Sequence, residues 1–204
     1  MKYYVVKYQG PFGFIKPWTA VRDIETFSQQ FLTPSIIEGI RIKLDVSQIL
    51  RHRLSYIGMS PQLEQTQAKG VRVGDKKKPV ARKRMAIGEE GGYVNAGIIT
   101  RNVLLEPHLY LAFTSEDEAQ KASEQHLCLC RNEDILYSDG VITTLDPVEF
   151  DTQIHGFELR FEPDHPLAFT VGYSRFPLEN PSLDPMRGWL QIVGNPIRQE
   201  NEPC

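Results

Sequence analysis

The sequence has few of the features that mark secreted or membrane proteins. Three of its 204 residues are cysteine, and Cys128 and Cys130 in "CLCR" have no second pair that could complete a zinc site. We predict that both are small core side chains on a strand and that the thiols are free, as suits a reducing compartment. Lys7 interrupts the amino-terminal "MKYYVVKYQG", and no later apolar run reaches the length of a membrane span. A cytoplasmic location is expected.

Common catalytic and cofactor motifs are missing as well. The sequence contains no Walker-type glycine loop, no Gly-x-Ser-x-Gly elbow and no His-Glu-x-x-His pair. The acidic "SEDE" that begins at Ser115 is predicted to start a helix, where carboxylates favour the macrodipole, and is not interpreted as a two-metal site. We therefore expect neither a metal nor a cofactor.

Positive charge is concentrated in one part of the chain. The net charge is -3, yet Lys69 to Arg101 holds nine Lys or Arg against three Asp or Glu, a local balance of +6, and the rest of the chain carries -9. Pro79 and several glycines within this basic segment predict a long connection or a twisted hairpin. Two interpretations are open from the charge alone: an electrostatic footprint for a polyanion, or a solvated loop with no partner.

Two helices are predicted. "TPSIIEGIRIKLD" has Thr33 as N-cap and Pro34 in the first helical position, with apolar residues on one face. Gly39 within it costs helix stability, which predicts close packing of this helix on a sheet. Ser115 and Glu118 predict a capping box at the start of a second helix, which is expected to end near His126.

The remaining pattern predicts strands. Tyr3 to Tyr8 and Phe27 to Leu32 are the first two, and "QILRHRLSYIGM" predicts a third with one wetter face. Further strand-like stretches are "IITRNVLLEPHLYLAFT", Ile135 to Leu145, "FDTQIHGFELRFEP", "LAFTVGYSRF" and "GWLQIVG". This order indicates one α+β domain over residues 1–204: a ferredoxin-like (RRM-like) antiparallel sheet with two helices on one face and extra C-terminal β hairpins. The open face of such a sheet can bind RNA.

A family resemblance rests on the order of five short segments. These are "GPFGFIKPW", "FLTPSIIEGI", "QAKGVRV", a strand after the basic segment, and "GYSRFP" near the C-terminus. Together they resemble the CRISPR-associated Cas five family of the RAMP superfamily, whose members cap the 5′ end of the guide RNA in Cascade effector complexes. The resemblance is clearest over Lys2 to Ile40 and Gln67 to Phe113.

The resemblance implies a protruding β-hairpin thumb that lies against the guide, and residues 69–101 would be that thumb. Single-stranded RNA is held by phosphate neutralisation and by base stacking on aromatic or guanidinium faces. Aromatic residues on exposed loops are the expected stacking groups, with simple packing as the alternative for each of them. The predicted RNA-binding residues are Lys69, Arg72, Lys76, Lys77, Lys78, Arg82, Lys83, Arg84 and Arg101, with Phe14, Trp18 and Tyr93 as the aromatic residues.

The resemblance also implies partners and a role in antiviral defence. The partners would be the 5′ handle of the crRNA, the backbone and large subunits of a type I Cascade, and target DNA near the PAM. Some members of the family cleave precursor RNA without metal, through Tyr, Lys and His, but "KLDV" (residues 43–46) stands here where those members have the Tyr. We therefore expect a non-catalytic RNA-binding subunit.

Two alternatives remain at this stage. One is a metal-independent endoribonuclease with His52, beside Arg51 and Arg53, as general base. His52 would otherwise be a half-buried strand histidine. The other alternative is a generic α+β interaction protein with a solvated basic loop.

Overall fold

The computed structural model describes residues 1–17, 24–65, 98–174 and 182–199. Three helices and twelve strands lie in these ranges. The helices are α1 (Pro34–Leu44), α2 (Glu116–Ser123) and α3 (Pro147–Gln153). The strands are β1 (Tyr3–Gln9), β2 (Phe12–Gly13), β3 (Glu25–Phe27), β4 (Arg51–Ser55), β5 (Gly58–Gln65), β6 (Ile98–Leu105), β7 (His108–Phe113), β8 (Leu127–Cys128), β9 (Ile135–Leu145), β10 (Gly156–Arg160), β11 (Phe169–Tyr173) and β12 (Pro185–Val193).

The centre of the large sheet has ferredoxin-like topology. Eight strands lie in the order β11-β12-β10-β4-β7-β1-β9-β8. Its four middle strands and two helices follow the chain order β1-α1-β4-β7-α2-β9, which is the split βαβ arrangement. The predicted α+β class and antiparallel sheet are confirmed, and the extra C-terminal strands β10, β11 and β12 extend the sheet beyond β4.

Helices α1 and α2 cover one face of this sheet. Alternation along β1 sends Val6 and Tyr8 into a core that also holds Leu44 of α1 and Ala122 of α2. The Tyr8 hydroxyl donates to the Ala122 carbonyl at 2.6 Å, which fixes α2 against the strand. Burial of this phenol raises its pKa well above its usual range.

Helix α3 covers part of the opposite face and was not predicted. Its Phe150 packs on Val5, Ala112 and Leu145, which point away from the main core. Asp146 and Glu149 form a full capping box: the Asp146 carboxylate accepts from the Val148 and Glu149 amides, and the Glu149 carboxylate accepts from the Asp146 amide. The sheet face expected to be open is therefore partly occupied.

A smaller sheet adjoins the large one. Strands β5 and β6 pair antiparallel over eight residues, from Gly58 opposite Leu105 to Gln65 opposite Ile98. Strand β6 also pairs with β2 and, in parallel, with β3. The expected strand at Phe27 to Leu32 is wrong: the strand is β3, and it ends where that stretch was to begin.

Two expectations about local packing are also wrong. The stretch that contains β4 was expected to have a wetter face, but all five residues of β4 are buried because the two arginines lie in an ion-pair network. Gly39 was expected to mark close helix packing, yet a Cβ added there would meet nothing within 4 Å. This position lines a shallow surface groove between α1 and β8.

The second helix differs in detail from its prediction. Ser115 does accept a hydrogen bond from the Glu118 amide at 3.3 Å. The Glu118 carboxylate accepts from the Ser47 amide and the Thr114 hydroxyl, both at 2.6 Å. The helix ends at Ser123, three residues before the expected end.

The cysteine prediction is half correct. Cys128 and Cys130 are free thiols, but both are exposed, and Leu129 between them is the residue that turns into the core. Among the described residues no three His, Cys, Asp or Glu side chains gather as a metal site. No helix in the described ranges is long and apolar enough to cross a membrane.

Candidate nucleic-acid interface

The paired strands β5 and β6, called the stem below, end at the two residues that flank most of the basic sequence. Residues 66–97 connect the last pair of the stem, Gln65 and Ile98. Eight of the nine predicted cations and two of the three predicted aromatic residues lie outside the described residues. They are Lys69, Arg72, Lys76, Lys77, Lys78, Arg82, Lys83, Arg84, Trp18 and Tyr93. Their assignment to RNA stays a prediction.

Arg101 is the described cation of the predicted set, and it lies in the stem. Its guanidinium donates to the Thr26 hydroxyl at 2.8 Å and to Glu64 at 3.3 Å, which ties β3 and β5 to β6. Its side chain is 18% exposed. Arg101 therefore stabilises the stem through a partly balanced charge, and any contribution of this residue to RNA binding stays a prediction.

The prediction that Phe14 is an exposed aromatic residue is wrong, because its side chain is buried. Phe14 is 2% exposed, and the guanidinium groups of Arg101 and Arg131 each lie 5.6 Å from its ring centroid. Sequence reasoning placed it in a loop because Gly and Pro surround it, but the ring packs inward. Two cation–π contacts make Phe14 part of the base of the stem.

Arg131 was missed by sequence reasoning. It follows Cys130, and its guanidinium pairs with the fully buried carboxylate of Asp134 at 2.7 Å. It also reaches Gln62 of β5 at 3.3 Å. The turn between β8 and β9 thereby contacts the stem. No local feature of the sequence "CLCR" predicts this contact.

A buried ion-pair network fills the space between the large sheet and α3. The Glu158 carboxylate accepts from Arg51 at 2.6 Å and from Arg53 at 2.9 Å, and Asp151 of α3 accepts from both arginines. Both guanidiniums also lie about 5 Å over the Phe150 ring. Burial alone would raise the pKa of Glu158, but the hydrogen bond from Arg51 and the surrounding positive charge hold it below its usual range.

His52 lies in the same region and is buried, with 3% exposure. Its Nε2 accepts from the Leu159 amide at 3.4 Å. Burial lowers its pKa to about 4, with Arg51 and Arg53 contributing. A general base must lie within hydrogen-bond distance of the 2′-hydroxyl that it deprotonates. The His52 ring is buried, so an RNA 2′-hydroxyl cannot reach it in this conformation.

The buried histidines predict a pH-dependent stability. Burial, together with the nearby Arg198 and Lys7, lowers the pKa of His108 to about 3. The folded state thus binds fewer protons than the unfolded state, so this stability is full above about pH 6.5 and is lost as pH falls toward the folded pKa. Between pH 7.5 and 5.5 we expect His52 alone to account for about 1 kcal/mol.

Urea titrations at the two pH values measure this effect. His52→Gln should flatten the dependence by that amount. If the parent and His52→Gln lose the same unfolding free energy between the two pH values, His52 has the same pKa in the folded and unfolded states, and the prediction is wrong.

Comparison with known proteins supports the fold. Neither the known family profiles nor the curated proteins give a match to the sequence. The structure is similar to a chain of a solved structure described as "CRISPR RNA-guided surveillance complex", with TM-score 0.50 and 11% identity over 95% of this chain and 91% of that chain. The resemblance indicated by the sequence is thus confirmed at the level of the fold.

Proposed function

We propose that this protein is an RNA-binding subunit of a type I CRISPR Cascade effector complex, and that it binds and caps the 5′ handle of the crRNA. The observation that carries the proposal is that the β5–β6 stem ends at Gln65 and Ile98, the two described residues that flank most of the basic sequence. The fold of the chain matches almost the whole of a surveillance-complex chain.

Side-chain contacts as well as the strand pairing stabilise the stem. Eight ladder pairs join β5 to β6, Arg101 ties three strands together, and Arg131 braces β5 through Gln62. Cations on residues 69–84 would contact the RNA backbone, where each neutralised phosphate releases counterions. The acidic remainder of the chain then faces protein neighbours, which we propose are the backbone and large subunits, with target DNA near the PAM as a further partner.

A non-catalytic role is favoured by the position of the best candidate base. His52 is buried in the sheet and bonded to the Leu159 amide. Arg51 and Arg53 beside it are both committed to Glu158 and Asp151. The binding role is therefore the function that the described geometry supports best.

Recovery of bound RNA tests the proposal. The chain, coexpressed with the products of its neighbouring genes and a repeat array, should copurify with short RNAs that share one 5′ sequence. Sequencing of the bound RNA and mapping of its 5′ ends measure this. RNA with scattered 5′ ends, or an assembly that forms without this chain and still protects the handle, would exclude the capping role.

A further inference from the structure

A stacked aromatic pair lies near the C-terminal end of the large sheet, far in sequence from the stem. The His165 ring lies parallel to the Trp189 indole, with centroids 4.0 Å apart and planes at 10°. Trp189 is on β12, directly opposite Arg160 of β10. Residues 161–168 bring the imidazole onto the indole through a turn in which the His165 amide donates to the Glu162 carbonyl.

Hydrogen bonds fix both rings. The Trp189 Nε1 donates to Glu162 at 2.9 Å, and the other oxygen of that carboxylate accepts from Arg160 at 3.0 Å. The His165 Nδ1 accepts from the Leu167 amide at 3.2 Å. Each ring thus has a set orientation, and both residues are partly buried and partly accessible.

The surroundings of the pair are exposed and carry little net charge. Leu167 is 70% exposed and Phe161 is 43% exposed. Arg160 pairs with Glu162, and the chain close to the two rings also carries Arg187 and the exposed Asp164. The Arg187 guanidinium donates to the Ala168 carbonyl at 2.8 Å, which holds the turn to β12. A ligand here would be bound by its flat face rather than by its charge.

We propose that the His165–Trp189 pair is a stacking platform for one unpaired nucleobase of a single-stranded nucleic acid. The two rings are stacked nearly parallel, and a third planar group on the outer side of His165 would continue the column. Base–aromatic stacking tolerates any base sequence because every base has a π-face. The choice of a nucleic acid as the ligand rests on the proposed function, since a chain that binds RNA brings unpaired bases to its surface.

Binding of fluorescent octauridine, U8, to the full chain tests the platform by anisotropy. His165→Ala should weaken U8 binding about tenfold. His165→Phe, which keeps a flat ring, should stay within about twofold of the parent. Because stacking is not a phosphate contact, both ratios should be the same at 0.1 M and 0.5 M salt, whereas any contribution of the basic segment falls steeply with salt.

His126 provides the matched control. It is also beside an exposed aromatic residue, Tyr137, but at 6.1 Å and tilted by 43°, so it is not stacked. His126→Ala should leave U8 affinity unchanged. Circular dichroism melts of all three variants check that the fold is intact.

The outcomes separate clearly. Unchanged U8 affinity in His165→Ala, or an equal loss in His165→Phe, overturns the platform, because the first denies the contact and the second assigns the effect to the turn. If His165→Ala loses binding to a protein partner but retains its U8 affinity, the pair is a protein contact and the platform is overturned as well. The deoxy probe dT8 and a G·C-rich RNA duplex of the same length identify the source: the platform predicts binding of single strands and not of the duplex, and the dT8 arm decides between RNA and DNA.

This test is independent of the capping role. If the basic segment does not bind RNA, U8 affinity will not respond to its cations, yet the ratio between the parent and His165→Ala remains measurable. If the platform alone is absent, the cation dependence persists while that ratio is one.

Discussion

Replacing six cations of the basic segment with serine should abolish most of the affinity for the crRNA 5′ handle. The variant changes Lys76, Lys77, Lys78, Arg82, Lys83 and Arg84. Each cation that neutralises a phosphate of a single strand contributes about 0.7 to the slope of log K against log salt, so the slope should fall by about 4 and the affinity at 0.1 M salt by at least about a hundredfold. Anisotropy titrations of labelled handle RNA between about 0.05 and 0.5 M salt measure both the slope and the affinity.

A matched variant separates position from charge. Lys2, Lys43 and Lys121 are exposed lysines of the folded domain, and replacing these three with serine removes as much charge as Lys76→Ser, Lys77→Ser and Lys78→Ser together. The first triple should leave the salt slope unchanged and the second should lower it by about 2. If the two triple variants change the salt slope equally, the basic segment is a solvated loop, and its cations act only through the overall charge of the protein.

Removal of Glu158 should cause the largest loss of stability in the described domain. Its carboxylate neutralises two guanidiniums, and Arg53 is fully buried. Glu158→Ala leaves both arginines under α3 with Asp151 alone, and breaking a buried pair in this way costs about 3–5 kcal/mol. Urea unfolding at pH 7.5 measures the difference in unfolding free energy.

Glu38→Ala is the control for Glu158→Ala. Glu38 makes an equally short bidentate pair with Arg41, but both side chains are about one-third exposed. Its loss should cost less than about 1 kcal/mol. Equal effects of the two substitutions would mean that water reaches Glu158 and that α3 does not seal the network.

Some of the misses had readable causes. Helix α3 begins with Asp146, Pro147 and Glu149, a helix-start signal, but the alternation in "FDTQIHGFELRF" favoured a strand through Phe150. Tertiary context decided the competition, because Phe150 needs the apolar face of Val5 and Ala112 to be buried. The capping box was the stronger local evidence.

Other misses had no local signal. Arg51 and Arg53 alternate with apolar residues as solvent-facing side chains do, and only Glu158, more than a hundred positions away, makes their burial possible. Phe14 sits among Gly and Pro like a loop tip, and only Arg101 and Arg131 show that its ring packs inward. Contacts of this kind join residues that no window of the sequence contains.

The sequence by itself determined the fold class, the first two helices, most of the strands and the separation of the basic segment from an acidic domain. These follow from periodicity, capping residues and charge, which are properties of neighbours along the chain. Only the tertiary structure decided that a third helix covers part of the second sheet face, that His52 is buried, and that His165 stacks on Trp189. The first two depend on long-range burial, where the desolvation of a charged or aromatic group is set by the residues that the rest of the chain packs against it. The third depends on the turn that brings His165 onto the neighbouring strand.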